Sequence, residues 1–453
     1  MRFSFVACAL LVASAACADR FDDFVKTKME EQKIPGLQFV VVYKGKAAMS
    51  RSYGLADVDA KKPVTKDTAF EIASVSKPVV ATAVMMLWEQ GKFKLEDPIG
   101  KYVKEMPLAW ANVPIQNLLS HTSGVPEFLT GSYYLSHRKE DTPFTEITKH
   151  MTTDLKFDSG DHFSYSNTNY VLLGKLIEGI TGKSYTDYLK TQIFDPLGMT
   201  ATGFVGSKEH AKGYAGIGQD FVARSDSSLT WAGPGASMVS TAEDMAKFDA
   251  GLDGQKLIRT STLAMMFQPT ATRLGLMDYG MGWQAEKIGT TVVGLHAGKI
   301  NGFCSMYIRL LKERVGVIVL SNSSDIDGNA ITRGILSLYF PELTSQALTP
   351  MLDDDPDLTA AHLRILQNIA AGRPDMDVYT DDYKAHVTEE KLKAMGSELS
   401  RGGRIQSLQL TRKFAKGKFE AYEYLMTQGQ THLVITFFVD ASGKVAGMTI
   451  VAP

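Results

Sequence analysis

Cysteine is nearly absent. The 453 residues hold three, Cys8, Cys17 and Cys304, and two of them fall within the first eighteen positions. A chain trimmed there keeps Cys304 alone, which excludes an intramolecular disulfide. Cys304 stands in an apolar, strand-like run and is expected as a small core residue. The nine histidines are scattered and no His-Glu-x-x-His occurs, so neither a metal nor another cofactor is expected. An excess of charge is also lacking: 48 Lys and Arg face 50 Asp and Glu, for a net charge of −2. That balance makes no electrostatic case for nucleic acid or an anionic membrane as partner. Beyond the first residues no apolar run is long enough to span a bilayer. Gly-x-Ser-x-Gly and Walker-type loops are missing too, which removes two common enzyme classes.

The N-terminus does carry an apolar run. One basic residue, Arg2, precedes it, and Ala16-Cys17-Ala18 ends it as a small-x-small cleavage site before Asp19. Residues 1–18 are expected to be a signal peptide cleaved after Ala18, giving a secreted or periplasmic protein. A lipoprotein anchored through Cys17 ranks second.

Against these absences stands the stretch Phe70 to Trp88. Ser74 and Lys77 lie three apart at the mouth of an almost wholly apolar helix, so they share one face of its first turn. Pro78 is tolerated there because first-turn amides have no partner inside the helix. Gly91 is expected to close the helix as its C′ residue. A helix apolar all round belongs in the middle of a large domain. A hydroxyl and an amine at its buried tip suit a nucleophile beside a proton acceptor, with the helix N-terminus stabilising negative charge. A second Ser-x-x-Lys, Ser136 to Lys139, lies in a charged stretch with no apolar helix behind it. It carries no such reading.

The remaining pattern predicts helices against an antiparallel sheet. Helical spacing over 22–32 is followed by a hairpin, 37–43 with 47–53. Ile115 to Gly124 reads as an apolar helix and Val125 to Met151 as an aromatic-rich flap. Residues 157–170 read as irregular loop before a helix from Val171 to Ile180. Lys208 to Ser240 reads as mostly loop. Strand-like runs at 291–296, 303–311 and 315–320 would finish the sheet. Composition changes near 344–357. Beyond it, two helical stretches and four strand-like runs predict a small antiparallel meander with helices on one face.

Two more motifs follow Ser74 in order. Tyr165-Ser166-Asn167 is the one Tyr-x-Asn, and His296-Ala297-Gly298 the one His-x-Gly. A phenol can hold or relay a serine proton, and an Asn amide can both donate to a substrate carbonyl and accept from lysine. Singly, each is more simply a loop tyrosine or a satisfied histidine. As a set, they resemble the serine β-lactamase and penicillin-binding-protein-like superfamily, in its class C, D-aminopeptidase and esterase branch. The stretches Tyr53-Gly-Leu-Ala-Asp, Leu118 to Gly124, Phe194 to Met199 and Val239 to Asp244 extend the likeness over about residues 20 to 345.

The resemblance implies a β-lactamase-like α/β (α+β) fold: an antiparallel sheet flanked by helices plus an all-helical subdomain, with the site between. It implies residues 19–345 as a serine hydrolase domain, while composition and element order read 346–357 as linker and 358–453 as a small α+β domain. The element order of that last domain resembles the cone-shaped domains related to nuclear transport factor 2. Ser74 would be the nucleophile, with Lys77 and Tyr165 sharing proton transfer. Asn167 would position substrate and lysine. The N–H groups of Ser74 and Lys299 would form the oxyanion hole, and Gly298 would let substrate approach the strand edge closely. His296 stands where β-lactamases and penicillin-binding proteins usually carry Lys, and esterases and D-amino-acid amidases often show this His. Lys299 faces the other side of the strand from Gly298 and does not replace that charge. The expected activity is therefore cleavage of a small ester or amide. β-Lactam hydrolysis and a non-catalytic penicillin-recognising protein are the alternatives. Oligomeric state is left open.

Overall fold

The computed structural model describes residues 20–451, apart from 218–219, 225–226, 274, 289–290, 342–349, 386, 417 and 430. The expected signal peptide, with Cys8 and Cys17, and the start of the expected linker lie outside the described residues. The chain divides into two compact units between Leu338 and Tyr339.

The first unit is built on seven strands: β1 (Gly36–Tyr43), β2 (Lys46–Asp57), β3 (Lys62–Pro63), β4 (Gln284–Ile288), β5 (Thr291–Ile300), β6 (Phe303–Leu310) and β7 (Val315–Ser321). Their order across the sheet is β4-β5-β6-β7-β1-β2-β3, and every pairing is antiparallel. β1 lies between β7 and β2, so Val40 faces Ile318 on one side and Ser50 on the other. Gly36 through Val42 are all buried, because both faces of this strand are covered. Phe39 stacks at 6.3 Å on Phe21 of a helix over 20–31, while Val40 and Val42 enter the larger core opposite.

That core is organised around α1 (Ser76–Glu89). Val79 to Met85 are buried without a break, which is why no polar face shows in the sequence. Gly91 adopts φ +70°, and the N–H groups of Gly91 and Lys92 return to the carbonyls of Trp88 and Leu87. This is the Schellman closure expected of a C′ glycine. At the other end Ser74 is not in the α-helix itself but in a 3-10 turn, Ala73–Val75, leading into it. Ala73 sits at φ +46°, a strained value that turns the chain sharply just before the serine.

Other differences from expectation have local causes. The helix from Ile115 stops at Leu119, because Asn117, Ser120 and Thr122 bond to one another instead. α2 starts at Asn167 rather than Val171 (Asn167–Thr181), which makes Asn167 its first residue and sets Tyr165 just before its N-cap, Ser166. The stretch read as loop holds a hairpin, Gly213–Ile217 with Asp220–Arg224. Edge strand β4 has no apolar run to announce it.

α3 (Ala242–Asp253) lies so close to β7 that a Cβ on Gly316 would come within 2.4 Å of Asp249. Asp249 accepts from the Tyr307 hydroxyl at 2.5 Å and pairs with buried Arg309, which also reaches Asp253 at 3.3 Å. Arg309→Met should destabilise the unit by about 3–5 kcal/mol, because it strands buried carboxylates. A urea midpoint that falls with an unchanged m-value is the check.

The second unit has its own core, including Leu366, Ile369, Leu392, Tyr424 and Phe437. Helices Pro356–Ala370 and Glu389–Arg401 meet where a Cβ on Gly396 would strike the Ile369 carbonyl at 1.9 Å. Four strands follow in consecutive antiparallel order, Ile405–Lys416, Phe419–Gln428, Thr431–Val439 and Val445–Val451. No described helix is long and apolar enough to cross a membrane.

Candidate active site

Segments far apart in sequence meet at the turn before α1. The Lys77 ammonium is buried and donates to Ser74 Oγ at 3.0 Å, Asn167 Oδ1 at 2.8 Å and the Gly235 carbonyl at 3.1 Å. Tyr165 donates from its hydroxyl to Ser74 Oγ at 2.9 Å. The serine oxygen thus sits between an amine and a phenol.

Burial lowers the Lys77 pKa from 10.5 to about 7, opposed by the nearby charge of Glu127. Near neutral pH the amine is then neutral about half the time. A neutral amine has two N–H groups and one lone pair. Asn167 Oδ1 and the Gly235 carbonyl accept the two hydrogens, which leaves the lone pair for the serine hydroxyl. Tyr165 moves the opposite way. Burial, opposed by its bond to Ser74, holds the phenol above its ordinary range and therefore protonated. The residue as a whole is 36% exposed, but its titrating hydroxyl is bonded to Ser74.

Glu127 is the first residue of the site that no motif announces. Its Oε2 accepts from Asn167 N at 2.7 Å and from Asn167 Nδ2 at 3.0 Å, and its Oε1 accepts from Leu129 N at 2.9 Å. A carboxylate only accepts, so the amide must present Nδ2 to Glu127 and Oδ1 to Lys77. Pro126 is held against the same helix start, its carbonyl accepting from Thr168 Oγ1 at 2.5 Å. Nothing about a single Glu in a polar flap marks this role.

His121 is the second unforeseen residue. It has φ +57° in the turn that replaces the expected helix, and its ring lies 4.2 Å from that of Tyr165. Nδ1 accepts from Ser166 N at 3.1 Å and Asn169 Nδ2 at 3.2 Å, so the proton resides on Nε2. Burial, then the charge of Lys77, keeps the ring neutral. It backs the phenol as a fixed platform.

His296, Gly298 and Lys299 lie on β5. The His296 imidazole is 2% exposed, and both nitrogens are engaged: Nδ1 donates to the Ala297 carbonyl at 2.8 Å and Nε2 accepts from the Tyr279 hydroxyl at 2.9 Å. Burial lowers its pKa to about 3, so it carries no charge. The ring is thus enclosed as well as uncharged. Gly298 is buried with the turn before α1 pressed against it. A Cβ there would stand 2.5 Å from the Ile72 carbonyl and 3.0 Å from Ser74 N. Lys299 is exposed, its ammonium 3.9 Å from Asp325. Among the described residues no group of His, Cys, Asp and Glu could hold a metal ion.

The Beta-lactamase family model matches residues 21–338. Protein flp of Staphylococcus aureus (strain N315) is 28% identical over 315 residues, 67% of this chain and 62% of that protein. This chain therefore spans less than two thirds of that relative's length. Among solved structures, an octameric penicillin-binding protein homologue from Pyrococcus abyssi superposes with a TM-score of 0.63 at 21% identity, covering 96% of this chain and 98% of the other. A D-amino acid amidase from Ochrobactrum anthropi SV3, complexed with L-phenylalanine, superposes with a TM-score of 0.59 at 25% identity, covering 73% and 98%. With the family match running through nearly the whole first unit, this chain belongs to the beta-lactamase family.

Proposed function

We propose that this protein is an exported serine hydrolase that cleaves a small ester or amide, of the D-amino-acid peptide type, through an acyl-enzyme on Ser74. One observation carries the reading: a buried lysine amine, with pKa near 7, pinned by two carbonyl oxygens so that its lone pair faces the serine hydroxyl. Neutral Lys77 takes the Ser74 proton as Oγ attacks the substrate carbonyl. The N–H groups of Ser74 and Lys299 hold the oxyanion. Tyr165 passes its proton to the leaving oxygen or nitrogen and recovers one from the Lys77 ammonium. Water, deprotonated by the same amine, then releases the acid and restores Ser74.

The neutral, enclosed His296 supports an ester or amide over a β-lactam, since it supplies no fixed positive charge for a ring carboxylate. The test is pre-steady-state release of p-nitrophenol from a short-chain ester. Wild type should give a burst equal to the enzyme concentration, and folded Ser74→Ala none. Turnover by Ser74→Ala within a few-fold of wild type would sink the proposal.

A further inference from the structure

Side chains of β5 alternate between two faces of the sheet, and residues directly opposite on β6 share them. Ala297 pairs with Met306 and Lys299 with Cys304, so these four project together. His296 and Gly298 project to the other side, toward Ser74. Between the first face and the start of the helix Gly328–Tyr339 lies a cavity of about 420 Å³. It is lined wholly by residues of the first unit, and its volume falls in the range that encloses small-molecule ligands.

The floor is apolar. Buried Leu295, Met306 and Cys304 form it beside exposed Ala297, and half-buried Ile326 makes a side wall. The charged groups at the mouth are engaged within the protein. Arg333 Nε donates to Asn329 Oδ1 at 2.9 Å, and its Nη2 donates to Glu286. Asp327 Oδ1 accepts from Ala330 N at 2.9 Å and so caps the helix. The Lys299 ammonium stands 3.9 Å from Asp325. A charge carried in by a ligand would lose its water and displace these pairings to find a partner, which is costly. The cavity therefore suits a molecule without charge.

Its place in the sheet gives it a consequence. β4 pairs with β5 over Thr291 to Leu295 alone. From His296 onward, among the described residues, β6 is the one strand that holds β5. That singly held half contains Gly298, pressed so close to the turn before α1 that a Cβ would stand 3.0 Å from Ser74 N. A molecule seated on Ala297 lies against the back of the same half-strand. Its dispersion contacts add to the few that keep this segment from opening locally.

We infer that this cavity binds an uncharged, largely apolar small molecule, and that the bound molecule braces β5 against the turn that carries Ser74. The ligand site is separate from the one at Ser74, on the opposite face of the strand. It rests on the cavity and its lining and stands whatever chemistry Ser74 performs.

Two fluorescent probes of one skeleton test it, N-phenyl-1-naphthylamine, which is uncharged, and 1-anilinonaphthalene-8-sulfonate, which is anionic. The uncharged probe should saturate at one equivalent and bind at least tenfold more tightly than the sulfonate. Ala297→Phe, at an exposed strand position, fills the cavity and should weaken the uncharged probe at least tenfold. Ile326→Asp adds a charge at the wall and leaves the strand alone, so a folding defect in one variant does not decide the result. It should weaken the same probe at least fivefold. Amide hydrogen exchange over 296–300 should slow at least threefold in probe-saturated wild type. In Ala297→Phe the same probe concentration should leave it unmoved. No saturable binding, or binding indifferent to both substitutions, overturns the site. Equal affinity for the two probes overturns the uncharged ligand, and saturation with unchanged exchange overturns the bracing. None of these readouts needs turnover, so their failure is distinct from a failure of hydrolysis at Ser74.

Discussion

Lys77→Arg should lower kcat/KM by about 10²–10⁴-fold, the range over which a general base contributes. The exchange keeps positive charge and hydrogen-bond donors but puts a larger, always charged group in a fully buried site, so the rate is read on protein shown to be folded. It removes the one property the site uses. A guanidinium does not lose its proton in a protein, so no lone pair ever faces Ser74. The pH profile of wild type carries the same argument. Only neutral Lys77 accepts the serine proton, and its pKa is about 7. kcat/KM should therefore rise with pH below 7 and level off above it. Tyr165, held above its ordinary range, keeps its proton through that interval, so the phenol adds no falling limb below pH 10. A rate that is flat from pH 5 to 9, or an arginine variant within threefold of wild type, would remove Lys77 from the base role.

The same shift predicts a stability signature of known sign. Lys77 is lowered from 10.5 to about 7 on folding. Between those values the unfolded chain binds more protons than the folded one, so this group makes stability rise with pH. Below 7 the cost of burying the ammonium is present in full. The site is thus held at the expense of the fold and is carried by the large core around α1.

Much of this was legible because chemistry was concentrated where packing alone offered no reason for it. Ser74 and Lys77 stand at the mouth of an otherwise apolar helix, and Tyr165 and Asn167 at the mouth of another. The structure joins those four in one chain of hydrogen bonds, Tyr165 to Ser74, Lys77 to Ser74 and Lys77 to Asn167. The strands themselves were readable too, since β1, β6 and β7 are buried on both faces and read as largely apolar runs. What stayed hidden depends on contacts across long sequence distances. Glu127 meets Asn167 forty residues on, and its role is set by which side of an amide it touches. His121 matters through a turn that Asn117, Ser120 and Thr122 form against the helical pattern of their neighbours. β4 owes its place to pairing with β5, not to its own residues.

Gly298→Ala should cost about 10²–10³-fold in kcat, the scale of losing one oxyanion donor. The added Cβ would stand 2.3 Å from Ser305 Oγ, 2.5 Å from the Ile72 carbonyl and 3.0 Å from Ser74 N. Ser305 could rotate away, giving up its 2.6 Å bond to that same carbonyl. Ile72 O cannot yield so easily, because it is backbone immediately before the strained Ala73 and the 3-10 turn that carries Ser74. Relief must come from β5 parting from the turn, and that widens the gap between the N–H groups of Lys299 and Ser74. The double variant Gly298→Ala with Ser305→Ala separates the two contacts. It removes the side-chain clash and leaves the backbone one, so it should fold as well as the single variant and stay as slow. Recovery of wild-type kcat in the double variant would mean that Ser305 alone set the spacing, and the oxyanion account of this glycine would fall.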